Sequence, residues 1–178
     1  MSALFTFIPW LSYWVFLSLG QIHWAVWLAF SAALALTWKE WRAGNLKILT
    51  VGTLVFFFLM ALLLTLTRPF WLWREISLLG NLALALITLI SIVVGQPFTL
   101  QYARESTPKE RWQAPEFIHA NYVITWAWLI AFLFMAVPSA AGHWGIESPI
   151  WFTWGFSLCC FAGATAYTNW YKKASRKK

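Results

Sequence analysis

An apolar block at residues 3–38, with no charged side chain, places the strongest constraint on how this chain can fold. A single helix of that length would extend about 50 Å, whereas the hydrocarbon core of a bilayer is about 30 Å thick. The block must therefore fold back, and its one polar break is LGQIHW at 19–24. This predicts two segments, 4–20 and 24–38. Pro9 shortens the regular part of the first, so a re-entrant segment is an alternative to a full crossing.

Composition extends this reading to the rest of the chain. The 178 residues are 61% hydrophobic and 11% charged, and they include no Asp. A soluble domain carries about 25% charged residues, so too few are present to build a water-facing shell. Apolar runs long enough to cross a bilayer recur along the sequence. The chain is therefore predicted to be an integral membrane protein.

The predicted fold is all-α, a polytopic transmembrane helix bundle with five or six membrane segments in one domain, 1–178. A long polar loop, 95–121, separates the fourth and fifth segments, and a basic tail, 171–178, ends the chain. The predicted segments are 4–20, 24–38, 48–66, 76–94, 122–137 and 150–167.

Basic residues in alternate loops predict the orientation. The loops 39–47 and 95–121 and the tail contain three, three and five Lys or Arg residues, whereas the link 68–75 contains two and the link 138–149 none. Loops rich in Lys and Arg stay in the cytoplasm. We therefore expect a multi-pass protein of the bacterial inner (plasma) membrane with a cytoplasmic C-terminus. Six spans would make the N-terminus cytoplasmic, and five would place it outside.

The polar loop opens with GQPFTLQYARESTPKERW, which contains helix stop and start signals. Gly95 and Pro97 are expected to end the preceding helix. Thr107, Pro108 and Glu110 match a capping box with proline at the first helical position, and APEF repeats a similar start before the next span. This predicts a short amphipathic helix in the loop, lying at the cytoplasmic interface.

Polar residues in and around this loop are the candidates for a binding site. Their hydrogen-bonding capacity exceeds what a chain exit needs, although an interfacial helix that only orders the bundle is the alternative. Asn81 lies inside a predicted span and would either bond to another helix beside Gly80 or contact a substrate. The binding candidates are Asn81, Gln96, Gln101, Tyr102, Arg104, Glu105, His119, Asn121 and Trp126.

Signatures of enzymes and of bound metals are missing from the sequence. It contains no G-x-S-x-G, H-E-x-x-H, Walker or dinucleotide-binding motif, and no Cys–His metal spacing. The positions of the three histidines do not suit a bis-histidine haem. We therefore predict no catalytic residue, no metal site and no cofactor.

The order of several short motifs resembles one known family. The motifs are FIPW at Phe7, Ile8 and Pro9, a basic loop after the second apolar segment, WLWR before a span, Gln96 with Pro97, then Pro115, Asn121 and Trp126. Together they resemble the intracellular septation protein A family of small bacterial inner-membrane proteins. PFTLQYARE departs from that family's usual residues and is closer to uncharacterised bacterial integral membrane proteins. The resemblance implies five spans, a cytoplasmic C-terminus and a role in the cell envelope through contacts with division and elongation proteins.

Three functional hypotheses follow. The first is a non-enzymatic inner-membrane protein that organises the cell envelope or division through membrane-protein partners. The second is a transporter, or transporter subunit, for small molecules or lipids, although the spans contain few of the ionisable groups that coupling needs. The third is a membrane enzyme acting on a lipid, for which Arg104, Glu105 and His119 would have to converge. Membrane lipids are expected partners, nucleic acid is not, and the sequence leaves the oligomeric state open.

Overall fold

A computed structural model describes residues 3–67, 72–142, 145–146 and 149–175. Helices dominate this part of the chain, and it contains no strand. The first four residues of the predicted outer link 68–75, several residues of the link 138–149, and the tail residues 176–178 lie outside the described residues.

Within the described residues, seven α-helices follow one another, preceded by a 3₁₀ helix, Ala3–Phe7. They are α1 (Ile8–Ser18), α2 (Ile22–Arg42), α3 (Ile48–Leu66), α4 (Leu72–Val93), α5 (Phe98–Glu105), α6 (Pro115–Ala141) and α7 (Ile150–Ser175). The break predicted after the first segment is a tight link in which Gly20 has a φ of 70°. A left-handed conformation of this kind suits glycine because it has no Cβ.

Three of the described helices are long and apolar enough to cross a membrane, fewer than the five or six segments predicted. They are α3, the Glu75–Val93 part of α4, and α6. Helix α1 has 11 residues, so it rises only about 16 Å. Helices α2 and α7 have sufficient length, but Trp, Ser, Thr, Gly and terminal charged residues make them less apolar. The structure therefore supports a helical membrane protein.

The fifth segment starts well before its predicted boundary. Helix α6 begins at Pro115, seven residues before the predicted segment 122–137, and continues to Ala141. Proline suits the first turn of a helix, and the APEF start signal is the one that operates here. Residues 115–121 therefore belong to a helix of 27 residues and not to the loop.

The chain divides into two compact units, Met1–Ser77 and Leu78–Lys178. In the first unit, α1 and α3 both pack on α2, and Trp10 of α1 is fully buried. The Trp10 ring stacks on Phe56 at 5.3 Å between centroids and lies 4.9 Å from the Phe57 ring. Its Nε1 donates a 3.0 Å hydrogen bond to Thr53 Oγ1. The indole thus combines ring packing with a satisfied polar atom, which a buried Trp requires.

A buried ion pair holds the connection between α2 and α3. Lys47 is 3% exposed, and its Nζ lies 2.7 Å from Glu40 Oε1. The other carboxylate oxygen, Oε2, accepts the Lys47 backbone N–H at 3.2 Å. Glu40 therefore satisfies both the side chain and the backbone of the residue from which α3 starts.

Candidate binding cleft

The polar loop leaves α4 through a glycine turn. Gly95 has a φ of 75°, and its N–H bonds to Ile92 O at 3.0 Å, while Gln96 N–H bonds to Ser91 O at 3.0 Å. These bonds form a Schellman motif, in which a left-handed glycine closes the helix. Ser91 Oγ then accepts the Phe98 N–H at 3.1 Å at the start of α5. The prediction that the helix stops at Gly95 is confirmed.

The sequence predicts a short amphipathic helix starting at Thr107, but the helix that the loop contains is α5, which ends at Glu105 and packs on α6. Thr99 Oγ1 donates to Asn121 O at 2.8 Å and lies 2.7 Å from Thr125 Oγ1. The Phe98 ring meets Trp128 edge-on, with 6.4 Å between centroids. Because polar and aromatic contacts both reach α6, they fix α5 across the first half of the longer helix.

The predicted capping box at Thr107 is wrong. Residues Lys109–Arg111 form a single 3₁₀ turn, Pro108 occupies the N-cap position, and no side chain caps it. Thr107 contributes its carbonyl, which accepts the Trp112 Nε1–H at 2.9 Å. Pro115 keeps Ala114 in an extended conformation, so a helix begun at Pro108 could not continue into α6.

Helix α7 packs along α6 and contributes the other wall. Trp128 Nε1 donates to Thr168 Oγ1 at 3.1 Å, and the same indole meets Phe161 edge-on at 5.2 Å. Tyr171 and Lys172 follow one turn after Thr168 on the same helix. These contacts bring the end of α7 beside the start of α6.

A cleft of about 1120 Å³ lies between α5, the 3₁₀ turn, the first turns of α6 and the end of α7. This volume slightly exceeds the usual range for small-molecule sites, about 300–1,000 Å³. Polar, charged and apolar groups all contribute to its walls. The lining residues are Ala103, Ser106, Thr107, Pro108, Arg111, Ala114, Glu116, Phe117, His119, Ala120, Asn121, Ile124, Tyr171 and Lys172.

The amino end of α6 opens into this cleft. Ala114 is the N-cap residue, and no side chain in the described part of the chain caps the helix. The first intrahelical bond joins Ile118 N–H to Ala114 O at 3.1 Å. The N–H groups of Glu116 and Phe117 precede that bond, and the first N–H groups of a helix carry partial positive charge.

Asn121 lies in the cleft wall as a buried amide. The residue is 3% exposed, and its Nδ2 donates to Phe117 O at 2.8 Å. Its Oδ1 is buried and has no hydrogen-bond partner among the described residues. An unsatisfied buried acceptor costs about 1–3 kcal/mol, which a hydrogen-bond donor reaching this oxygen would offset.

The structure brings two of the nine predicted candidates, His119 and Asn121, to the cleft. On α5, Tyr102 is buried and Glu105 is exposed. The Arg104 guanidinium lies 5.6 Å above the Trp112 ring. The convergence that an enzyme would need is therefore not seen, since His119 alone of the three proposed residues lines the cleft.

The remaining candidates form hydrogen bonds within the fold or lie outside the cleft. Asn81 Nδ2 donates to Met135 O at 3.0 Å, which confirms the expected bond between helices. Gln101 Nε2 donates to the Gln96 carbonyl at 3.1 Å, within the loop. Trp126 is 47% exposed, on a part of α6 outside the cleft wall.

Sequence reasoning missed Arg111, Glu116, Phe117, Tyr171 and Lys172 as site residues. Lys172 was assigned to the basic tail, and its place beside α6 depends on long-range packing that the sequence does not display. One signal was available: positions 117, 120, 121 and 124 have the spacing of a single helix face. The spacing can be recognised only if these positions are assigned to one helix that starts at Pro115.

Within the described residues, no group of three or more His, Cys, Asp or Glu side chains could hold a metal ion. Comparisons with family models, with curated proteins and with solved structures found no match. The function is therefore inferred from the cleft itself.

Replacing Thr99 with valine should loosen α5 from α6 while keeping the side-chain shape. The change removes one hydrogen bond to Asn121 O, which still has the Thr125 hydroxyl at 2.8 Å. We expect a loss of about 1 kcal/mol in the free energy of unfolding and faster proteolysis within 98–114. Thr67→Val, at an exposed helix end, is the control. Equal protease resistance in both variants would contradict the docking role of Thr99.

Proposed function

We propose that this protein is a non-enzymatic integral membrane protein that works by binding a ligand or partner in the cleft at its cytoplasmic face. The observation that carries the proposal is the cleft itself, with charged groups and a buried, unpaired amide oxygen in one wall. Its assignment to the cytoplasm comes from the Lys and Arg content of the surrounding loop and tail.

The resemblance to septation protein A-like proteins extends this proposal. The proposed role is in the bacterial inner membrane, in cell-envelope organisation or division through membrane-protein partners. Such a role requires binding and does not require a catalytic constellation. The lipid-enzyme alternative has weaker support because Arg104 and Glu105 do not join His119 in the cleft wall. The transporter alternative has weaker support because the spans contain few ionisable groups.

Site-specific photocrosslinking in living bacteria tests the binding function. A benzoylphenylalanine at Ala120, in the cleft wall, should give a discrete adduct, of lipid or of protein mass. The matched control is the same group at Trp126, exposed on the same helix but outside the cleft. Identical products at the two positions, or none at either, would refute a specific binding function for the cleft.

We further propose six membrane crossings, with both termini in the cytoplasm. Short links join α1 to α2 and α2 to α3, so α1 runs in the same direction as α3. Trp10 bonds to Thr53, five residues from the start of α3. The residues before Trp10 rise about 13 Å, enough to reach the level of loop 39–47. This supports a full crossing by the 3₁₀ helix and α1 together.

Exposed tryptophans support the crossing of α2. Trp24 and Trp27 lie near one end of the helix, and Trp38 and Trp41 near the other, and all four are at least 45% exposed. Equivalent members of the two pairs are 14 positions apart in the sequence, about 21 Å along a helix. Two such groups match the aromatic belts of a spanning helix.

The topology predicts that green fluorescent protein fused to either terminus will fluoresce in bacteria, because it matures in the cytoplasm. A fusion at Gly145, in the outer link, is the control and should stay dark. Fluorescence from the C-terminal fusion only would establish five spans and an external N-terminus.

A further inference from the structure

Positively charged groups from three separate elements line the cleft. Arg111 comes from the 3₁₀ turn, Lys172 from α7, and the uncapped N–H groups from the amino end of α6. Helix N-termini with exposed N–H groups bind phosphate and other anions, and flanking cations strengthen that binding. This arrangement favours an anionic ligand.

Asn121 adds an acceptor to the same wall. Its Oδ1 is buried, unpaired among the described residues, and unsuited to contact an anion directly because both would be acceptors. It therefore calls for a donor, such as a hydroxyl or ammonium group, on the ligand. The residue is 97% buried, so few orientations are open to its amide.

Apolar groups line the rest of the cleft. Phe117, Ala120 and Ile124 follow one face of α6 from its amino end inward, and Ala103 faces them from α5. In the proposed topology this face runs from the headgroup level toward the hydrocarbon. The cleft thus offers a charged mouth and an apolar wall.

We infer that the cleft binds a phosphate group with a neighbouring hydrogen-bond donor, as found in a phospholipid headgroup or in a soluble phosphate ester. The phosphate contacts Arg111, Lys172 and the first N–H groups of α6, and the donor reaches Asn121. This inference rests on the proposed binding function and names the ligand chemistry for the same cleft.

One carboxylate opposes the anion. Glu116 lies in the first turn of α6, lines the cleft, and is itself favoured by the helix dipole. Two cations against one carboxylate leave the lining net positive. Removing the Glu116 charge should therefore strengthen phosphate binding, a gain that damage to the fold would not produce.

Binding is measured with the full-length protein in dodecyl maltoside. The lipid probe is phosphatidylglycerol, compared with phosphatidylcholine, which lacks a donor beside its phosphate; the soluble probe is glycerol 3-phosphate, compared with glycerol. Native mass spectrometry follows retained lipid, and the shift in Tm follows both probes.

Arg111→Gln and Lys172→Gln should each weaken binding about tenfold, and Glu116→Gln should strengthen it several-fold.

Neighbouring cations serve as matched controls. Lys109→Gln lies in the same 3₁₀ turn as Arg111, and Lys173→Gln follows Lys172 on α7; both residues are exposed and outside the cleft wall. Neither change should alter binding. Preference for phosphatidylglycerol identifies a lipid source, and saturable binding of glycerol 3-phosphate a soluble one.

Two results would overturn the inference: no binding of either probe, or equal losses in the cleft variants and in the controls. If photocrosslinks from Ala120 persist in that case, the binding function stands and only the phosphate chemistry fails. If those crosslinks are also absent, the binding function fails as well.

Discussion

Replacing Trp10 with alanine is expected to lower the free energy of unfolding by about 3 kcal/mol. The change removes a fully buried indole that contacts Phe56 and Phe57 and leaves the Thr53 hydroxyl without its donor. Truncating a buried Phe or Trp to alanine costs about 3–5 kcal/mol in soluble proteins. The lower end applies here because lipid, unlike water, solvates the apolar surface that unfolding exposes.

Unfolding in mixed micelles of dodecyl maltoside and SDS measures this loss. Trp24→Ala is the control, because Trp24 is 60% exposed; it should change stability by less than about 0.5 kcal/mol. Trp10→Phe should fall between the two, since it keeps a ring but loses the Thr53 hydrogen bond. Similar losses for Trp10→Ala and Trp24→Ala would contradict the packing described for the first unit.

Breaking the ion pair of Glu40 and Lys47 is expected to cost about 3 kcal/mol. In Glu40→Gln the ammonium of Lys47, only 3% exposed, remains buried without its counter-charge at 2.7 Å. Removing one partner of a buried pair costs about 3–5 kcal/mol because the other charge stays desolvated. The loss should be largely insensitive to salt, since buried charges are poorly screened.

A double variant separates the pair from the individual charges. Glu40→Gln combined with Lys47→Met removes both charges, and we expect it to be more stable than Glu40→Gln alone. Lys39→Gln, at an exposed cation beside Glu40, should have little effect. If the double variant loses as much as the sum of its single changes, the two residues are not coupled.

The helical membrane fold could be predicted because its signals are local. Apolar runs predicted α3 and the main part of α4 within a few residues. Gly95 indicated the end of α4 because glycine readily adopts the left-handed φ that the structure shows there. The start of α6 was placed too late, although APEF was recognised as a start signal. The apolar run alone begins later, because Glu116, His119 and Asn121 interrupt it.

The sequence predicted the region of the site but not most of its residues. The loop around residues 95–121 was selected for its polar content, and part of it does line a cleft. Most of the candidate residues lie outside the cleft wall, because the hydrogen-bonding capacity of a side chain does not show which way it points. Arg104, for example, lies over Trp112. Lys172 reaches the cleft only because Thr168 and Trp128 join α7 to α6, a contact between residues 40 positions apart.

The two helices that build the cleft are also the longest, with 27 and 26 residues. Their lengths of about 40 Å exceed the hydrocarbon core by roughly 10 Å. In the proposed topology this extra length carries the cleft ends of both helices beyond the hydrocarbon, so a thicker bilayer draws the mouth of the cleft toward the acyl chains and a thinner one exposes it. Ligand occupancy should consequently respond to acyl-chain length at constant headgroup composition.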